Sequence, residues 1–188
     1  MERGIKMAQK KPQLVMIRKK LDNLPPIDLP EGYWARSMRK GYGKYWTEII
    51  QKSFKNESTF QKDISKHDYY KPERVLFIEN AEKPVATATA WYREEWGQNT
   101  GYLHMVGVLP DHTGRGLGLQ VSLAALHQMK KEGFDKAVLE TDDFRIPAIV
   151  TYLKLDFKPK IIHENQYKRW EKIKNEINRN DLEINVKN

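Results

Sequence analysis

The chain has 188 residues, of which 39% are hydrophobic and 31% charged, with a formal net charge of +8. This length and composition indicate one globular domain with a substantial core, and they exclude a disordered chain. The sequence contains no cysteine, which excludes disulfides, thiolate metal ligands and a cysteine nucleophile.

The positive charge is concentrated near the N-terminus. Residues 1–20 contain seven Lys or Arg residues and one Glu. No aromatic residues alternate with these basic residues, so we interpret the segment as a solvated arm and expect no nucleic-acid partner. A nucleic-acid binder that uses the arm is the alternative, and it predicts binding that weakens steeply with salt. No apolar run reaches membrane-spanning length and no signal peptide is evident, so we expect a cytoplasmic protein without membrane contact.

The N-terminal half predicts strands and helices in alternation. In chain order these are a short strand at 14–21, a Pro-rich linker at 24–32, a strand at 33–38, a helix carrying Trp46, Ile49, Ile50 and Phe54, a short helix at 58–66, and two strands, RVLFIEN and PVATATAWY, joined by a tight turn. The tight turn makes these two strands antiparallel.

The C-terminal half predicts strand–helix–strand units, which favour parallel crossovers. Its elements are the strand GYLHMVGVLP, a helix from about Arg115 to Glu132, the strand KAVLET, a helix starting at Pro147, the strand FKPKIIH, and a C-terminal helix with Tyr167, Trp170 and Ile173 or Ile177 spaced to dock. The fold class is therefore α/β, with a mixed β-sheet flanked by helices on both faces. We divide the chain into an arm and linker (1–32), a central domain (33–162), and a C-terminal helix and tail (163–188).

The stretch DHTGRGLGLQ places three glycines, Gly114, Gly116 and Gly118, around Arg115 at the start of a helix. Glycines let backbone N–H groups approach a ligand, and the helix start adds partial positive charge. The segment thus suggests a site for a phosphate or pyrophosphate. The P-loop pattern and the G-x-G-x-x-G fingerprint are both absent. A glycine-rich turn without a ligand stays open at this point.

The wider segment VGVLPDHTGRGLG resembles motif A of the GNAT superfamily of N-acyltransferases. A second segment, RIPAIVTYLKLDFKP, is similar to the family pattern N-x-x-A-x-x-x-Y-x-x-x-G-F through Ala148, Tyr152 and Phe157. The resemblance covers about residues 33 to 162, and within the superfamily it is to the bacterial group that includes mycothiol-synthase-like acetyltransferases. Three positions depart from the pattern: Thr113 replaces Gln or Arg, Arg145 replaces Asn, and Asp156 replaces Gly.

The resemblance implies an acetyl-CoA-dependent N-acetyltransferase that transfers an acetyl group directly to an amine, on a small molecule or a protein, without a metal. The residues it assigns to cofactor binding are Val106, Gly107 and Val108 for the pantetheine arm, and Gly114, Arg115, Gly116, Leu117, Gly118 and Leu119 for the pyrophosphate. It also implies that Tyr152 acts as general acid toward the CoA sulfur. Core packing of this Tyr is the alternative.

His104 is the candidate general base. Strand alternation predicts that positions 104, 106 and 108 lie on one face, and arylalkylamine acetyltransferases are similar in having a His at the matching place. A histidine with a purely structural role is the alternative. Two further sets of candidates are rival carboxylates near the end of the next strand and aromatic residues that would line an acceptor pocket. They are Glu140, Asp142 and Asp143 in the first set, and Trp91, Tyr92 and Trp96 in the second.

A second functional hypothesis is a non-catalytic CoA-binding sensor or regulatory module. Such a module needs the glycine loop but neither Tyr152 nor His104. A homodimer is compatible with the strand edges and the C-terminal helix, and the sequence does not decide the oligomeric state.

Overall fold

A sheet with the strand order β2-β3-β4-β5-β6-β1-β7 organises the computed structural model, which describes residues 11–184. Within that range the strands are β1 (Leu14–Arg18), β2 (Trp34–Ser37), β3 (Val75–Glu79), β4 (Pro84–Tyr92), β5 (Thr100–Val108), β6 (Lys136–Thr141) and β7 (Lys158–Lys160). All neighbouring strands are antiparallel except β5 and β6, which are parallel. The predicted mixed sheet is confirmed.

Four α-helices flank the sheet in the described part of the chain: α1 (Gly43–Phe54), α2 (Leu117–Lys131), α3 (Ile146–Lys154) and α4 (Asn165–Glu176). A Cβ at Gly107 would collide with α1, and a Cβ at Gly101 would collide with Met129 of α2. These contacts place α1 and α2 on opposite faces of β5, which agrees with the prediction that helices cover both faces of the sheet. Among residues 11–184, no helix is both long and apolar enough to span a membrane.

The central strands are buried on both faces because helices cover both sides of the sheet. β3 is buried along its whole length, and β4 is buried from Pro84 to Trp91. Their sequences are accordingly almost continuously apolar or small, without the alternation of a half-exposed strand. This buried centre of the sheet supports β5, which pairs with β4 and contains the predicted site residues His104 and Val106–Val108.

The N-terminal strand lies inside the sheet. β1 pairs with β6 along Leu14–Arg18 and with β7 along Val15–Ile17. The crossover from β6 through α3 therefore reaches β7 on the far side of β1, whereas the crossover from β5 through α2 reaches its immediate neighbour, β6. The predicted boundary at residue 32 assigns β1 to the arm and linker, although β1 lies inside the sheet of the central domain. Residues 1–10, half of the predicted basic arm, lie outside the described residues.

Two smaller expectations were only partly correct. The short helix expected at 58–66 is one turn of π-helix at Gln61–Ser65. In α4, Trp170 and Ile173 are buried as predicted, but Tyr167 remains 40% exposed. Polar contacts also hold the helix, since Arg169 donates to the carbonyl of Pro12 at 2.7 Å and pairs with Asp143.

Asp156 ends α3 in a left-handed conformation, with φ of 59°. This lets the amide of Phe157 reach the carbonyl of Tyr152 at 3.0 Å. The departure from the family glycine therefore keeps the backbone shape, because Asp tolerates this region better than most residues.

We expect Asp156→Gly to be at least as stable as the wild type and Asp156→Val to lose about 1–2 kcal/mol, because a β-branched residue is strained at positive φ. Urea denaturation measures both. Glu57→Val, in an exposed loop without positive φ, is the control. Equal losses for the two Val variants would contradict this explanation.

Candidate functional site

The glycine loop presents five consecutive backbone N–H groups, from Gly114 to Gly118, without an acceptor among residues 11–184. Gly114 and Gly116 have φ values of 77° and 76°. A Cβ on either would meet no atom within 4 Å, so it is the backbone conformation and not lack of space that requires glycine. Unpaired amides at the N-terminus of α2 form a place where an anion binds.

Side chains around the loop add to this arrangement. Arg115 is exposed at the tip of the loop. Thr113, at the position where the family usually has Gln or Arg, donates its hydroxyl to the carbonyl of Pro110 at 2.8 Å. His112 lies with its Nδ1 2.9 Å from the hydroxyl of Tyr33. The backbone amides and Arg115 are therefore the main groups available to a diphosphate.

A groove of about 550 Å³ leads from this loop along β5 to α3. We call it the donor groove. It is lined by most of the predicted cofactor-binding residues: Val106, Gly107, Val108, Gly114, Gly116, Leu117, Gly118 and Leu119. Ala148 and Tyr152 line its far end. The structure thus brings the loop and the predicted tyrosine to one continuous channel.

The groove exists because β5 and β6 separate. They pair only along Thr100–Tyr102 and Lys136–Val138, although β5 continues to Val108 and β6 to Thr141. The backbone edge of β5 beyond the paired stretch borders the groove. On this stretch the carbonyl of Val108 already accepts from Ser53 at 3.0 Å.

A β-bulge interrupts β5 before the groove. Two residues, Met105 and Val106, oppose a single residue of β4, and Met105 has φ of 49°. The expectation that positions 104, 106 and 108 share a face is therefore wrong. His104 faces the segment after α1, whereas the side chain of Val108 points toward the start of α2. A bulge shifts the alternation by one residue, and no feature of the sequence signalled it.

His104 lies among aromatic rings. Its ring centroid is 6.1 Å from Trp91 and 5.4 Å from Tyr102, and it makes no hydrogen bond to any described residue. Burial, together with smaller electrostatic effects of Arg93 and His67, lowers its pKa to about 3. The imidazole is therefore neutral near pH 7, and its nitrogens are free to bond a ligand.

Tyr152 lies on α3 and is 8% exposed. Burial raises its pKa to about 12, against a smaller opposing effect of Arg145. Its hydroxyl therefore keeps its proton at neutral pH and can donate it. Tyr152 lines both the donor groove and a second cavity of about 410 Å³, which we call the inner cavity.

His104 and Tyr152 both line the inner cavity, so the two predicted catalytic side chains border the same space. Of the three carboxylates, Glu140 and Asp142 line it as well. Glu140 accepts from Arg93 at 2.7 Å and from the hydroxyl of Tyr102 at 2.8 Å.

Asp142 and the remaining candidates take other positions. Asp142 pairs with Arg145 at 3.4 Å. Asp143 is bound by Arg169 of α4, which lowers its pKa, and it does not line the inner cavity. Of the aromatic candidates, Trp91 and Tyr92 line a third cavity beside His104, whereas Trp96 lines none of the three. Within the described residues, no cluster of His, Asp or Glu is arranged to hold a metal ion.

Sequence reasoning missed Arg93 and Tyr102, which fix Glu140 in place. The guanidinium of Arg93 also stacks over the ring of Tyr102 at 4.0 Å. A signal for Tyr102 was present, because it lies two residues before His104 on the regular part of the strand and so shares its face. Arg93 follows the end of β4, and nothing in its sequence context indicated a partner on β6.

Comparison with known proteins gives a consistent result. The model of the acetyltransferase (GNAT) family matches residues 36–157. A mycothiol acetyltransferase of Saccharomonospora viridis is 37% identical over 62 residues, which are 33% of this chain and 20% of that protein. One from Kytococcus sedentarius is 24% identical over 144 residues, covering 72% of this chain and 48% of that protein. The chain thus spans no more than about half the length of these relatives.

A solved GCN5-related N-acetyltransferase from Sphaerobacter thermophilus superposes with a TM-score of 0.62. The two are 23% identical, and the match covers 80% of this chain and 50% of the other. At this identity the similarity concerns the fold, and it agrees with the seven-stranded sheet described above.

The low pKa of His104 predicts a pH-dependent stability. An unfolded histidine takes up a proton below its ordinary pKa of 6.5, whereas folded His104 stays neutral to about pH 3. The free energy of unfolding therefore has its full value above pH 6.5 and decreases as the pH falls from 6.5 toward 3. We expect the wild type to lose about 2 kcal/mol more than His104→Gln between pH 7 and pH 5.

Urea denaturation of both proteins at the two pH values measures this difference. Since all other titrating groups are common to the two proteins, their contributions cancel. Parallel losses in the two proteins would show that His104 is not held neutral by the fold.

Proposed function

Because the chain belongs to the GNAT family of acetyltransferases, we propose that it is an enzyme that transfers the acetyl group of acetyl-CoA directly to an amine. One observation carries this proposal. The five unpaired amides from Gly114 to Gly118 stand at one end of a groove whose other end is Tyr152. An anion-binding site and a proton donor in one channel match a ligand with a diphosphate at one end and a thioester at the other.

The donor groove fits the parts of acetyl-CoA in order. The amides of Gly114–Gly118 and the charge of Arg115 would hold the diphosphate, and the helix N-terminus makes a metal unnecessary for this purpose. The backbone of Val106–Val108 would pair with the amides of the pantetheine arm. The mostly apolar lining of the groove would suit the thioester.

Tyr152 would act as the general acid. The amine nitrogen attacks the thioester carbonyl carbon, the carbon–sulfur bond breaks, and the departing sulfur takes the phenolic proton. A hydroxyl whose pKa is raised to about 12 is fully protonated at neutral pH and ready for this step.

His104 would act on the amine side of the inner cavity. With its pKa lowered to about 3 by burial, it is a weak base and a good neutral hydrogen-bond acceptor. We propose that it orients the amine lone pair toward the thioester and passes the amine proton on through water. We therefore assign His104 a role in positioning the amine and relaying its proton, in place of the predicted role of general base.

We propose that the acceptor is a small molecule. The inner cavity, at about 410 Å³, has the size of a small-ligand site. The curated relatives carry the name mycothiol acetyltransferase, which also favours a small acceptor over a protein amine.

Changing Tyr152 to Phe tests the proposal. The variant removes the proton donor but keeps the ring, so we expect kcat to fall about 10²- to 10⁴-fold and the Kd for CoA to stay nearly unchanged. Thiol release from acetyl-CoA and calorimetric titration of CoA measure the two quantities. Tyr167→Phe, at an exposed position on α4, is the matched control and keeps full activity.

A Tyr152→Phe variant with full activity would remove Tyr152 from the mechanism. A wild-type protein that binds CoA yet acetylates no amine would instead support the non-catalytic CoA-binding module.

A further inference from the structure

A third cavity, of about 610 Å³, adjoins the inner cavity on the face of the sheet that carries α1. We call it the outer cavity. Its wall combines three carboxylates with three aromatic rings: Asp63, Glu94 and Glu95, and Tyr69, Trp91 and Tyr92. Asp63 and Tyr69 belong to the segment after α1, and the other four residues belong to the end of β4 and the turn that follows it.

The charge of the outer cavity is opposite to that of the whole chain, whose formal net charge is +8. The wall also contains Arg93, which pairs with Glu140 at 2.7 Å and with Glu95 at 3.6 Å and stacks over the ring of Tyr102. The three carboxylates of the wall therefore outnumber its one arginine, which is shared between Glu95 and Glu140. The cavity is a negative region on a positive protein, which favours a cationic occupant.

The aromatic rings strengthen this preference. Tyr69 and Tyr92 stand edge to face with centroids 5.0 Å apart, and the hydroxyl of Tyr69 donates to Glu94 at 2.5 Å. This hydrogen bond to Glu94 is the main cause that raises the pKa of Tyr69 to about 12. Ring faces beside carboxylates are the environment in which proteins bind organic ammonium groups.

The outer cavity continues into the inner cavity. The two share Arg93, His104 and Met105 as lining residues. None of the three carboxylates of the outer cavity lines the inner one, where Tyr152 lies. An amine that reaches Tyr152 is thus beyond their direct reach, and they must recognise a different part of the same molecule.

From this arrangement we infer that the acceptor is a linear diamine or polyamine. Its reacting amine passes His104 into the inner cavity, while a second ammonium group stays in the outer cavity between the carboxylates and the rings. This inference rests on the proposed acetyltransferase function and names its substrate class. The reaction is the one already described: a nitrogen–carbon bond forms, the carbon–sulfur bond breaks, the sulfur takes the phenolic proton of Tyr152, and the amine proton, passed on through water, restores the phenol.

The test compares linear α,ω-diamines with monoamines of the same chain length as acceptors. We expect kcat/KM to be higher for the diamine, and Glu94→Gln and Glu95→Gln each to reduce the diamine-to-monoamine ratio about two- to fivefold, as expected for exposed ion pairs. The ratio also falls as salt is added. Glu82→Gln, in the exposed turn between β3 and β4, removes the same charge elsewhere and leaves the ratio as it is.

Equal kcat/KM values for the diamine and the monoamine would overturn the inference, as would ratios that do not change in either variant. Calorimetric titration of a diamine into protein saturated with CoA separates this inference from the proposed function. Diamine binding that weakens in Glu95→Gln, without acetyl transfer, supports the cavity and contradicts the catalysis. Acetyl transfer to monoamines without diamine binding supports the catalysis and contradicts the inference.

Discussion

The separation of β5 from β6 after three paired residues is the constraint on which the rest of the site depends. Both strands are held on their outer sides. β4 pairs with the outer edge of β5, and β1 pairs with the outer edge of β6. The opening between these two supported strands forms the donor groove.

The opening also lets the two faces of the sheet contribute to one site. Tyr152 approaches it from α3, and His104 approaches it from the face that carries α1, whereas the bulge after His104 turns Val108 toward α2. Burial shifts both pKa values in the direction that suits direct transfer. It keeps the proton on the phenol and keeps the imidazole neutral. The donor groove and the outer cavity thus each share lining residues with the inner cavity and share none with each other.

Much of this was predictable from the sequence, and the failures have definite causes. The strands, the four helices and the glycine loop follow from periodicity and turn residues, and the GNAT resemblance followed from two linked segments. The bulge could not be predicted, because it changes one residue of register while leaving the pattern apolar. The place of β1 within the sheet depends on long-range pairing. Likewise, the pairing of Arg93 with Glu140 joins residues that no spacing rule connects.

The central claim is that the groove beside β5 binds acetyl-CoA through the amides of Gly114–Gly118. Thermal unfolding with acetyl-CoA, CoA and ATP tests it most directly, because a ligand that binds the folded state alone stabilises it by about 2.7 kcal/mol at a hundredfold excess over Kd. We predict that acetyl-CoA and CoA raise the melting temperature and that ATP does not. No rise with any of the three, or an equal rise with ATP, would contradict the claim.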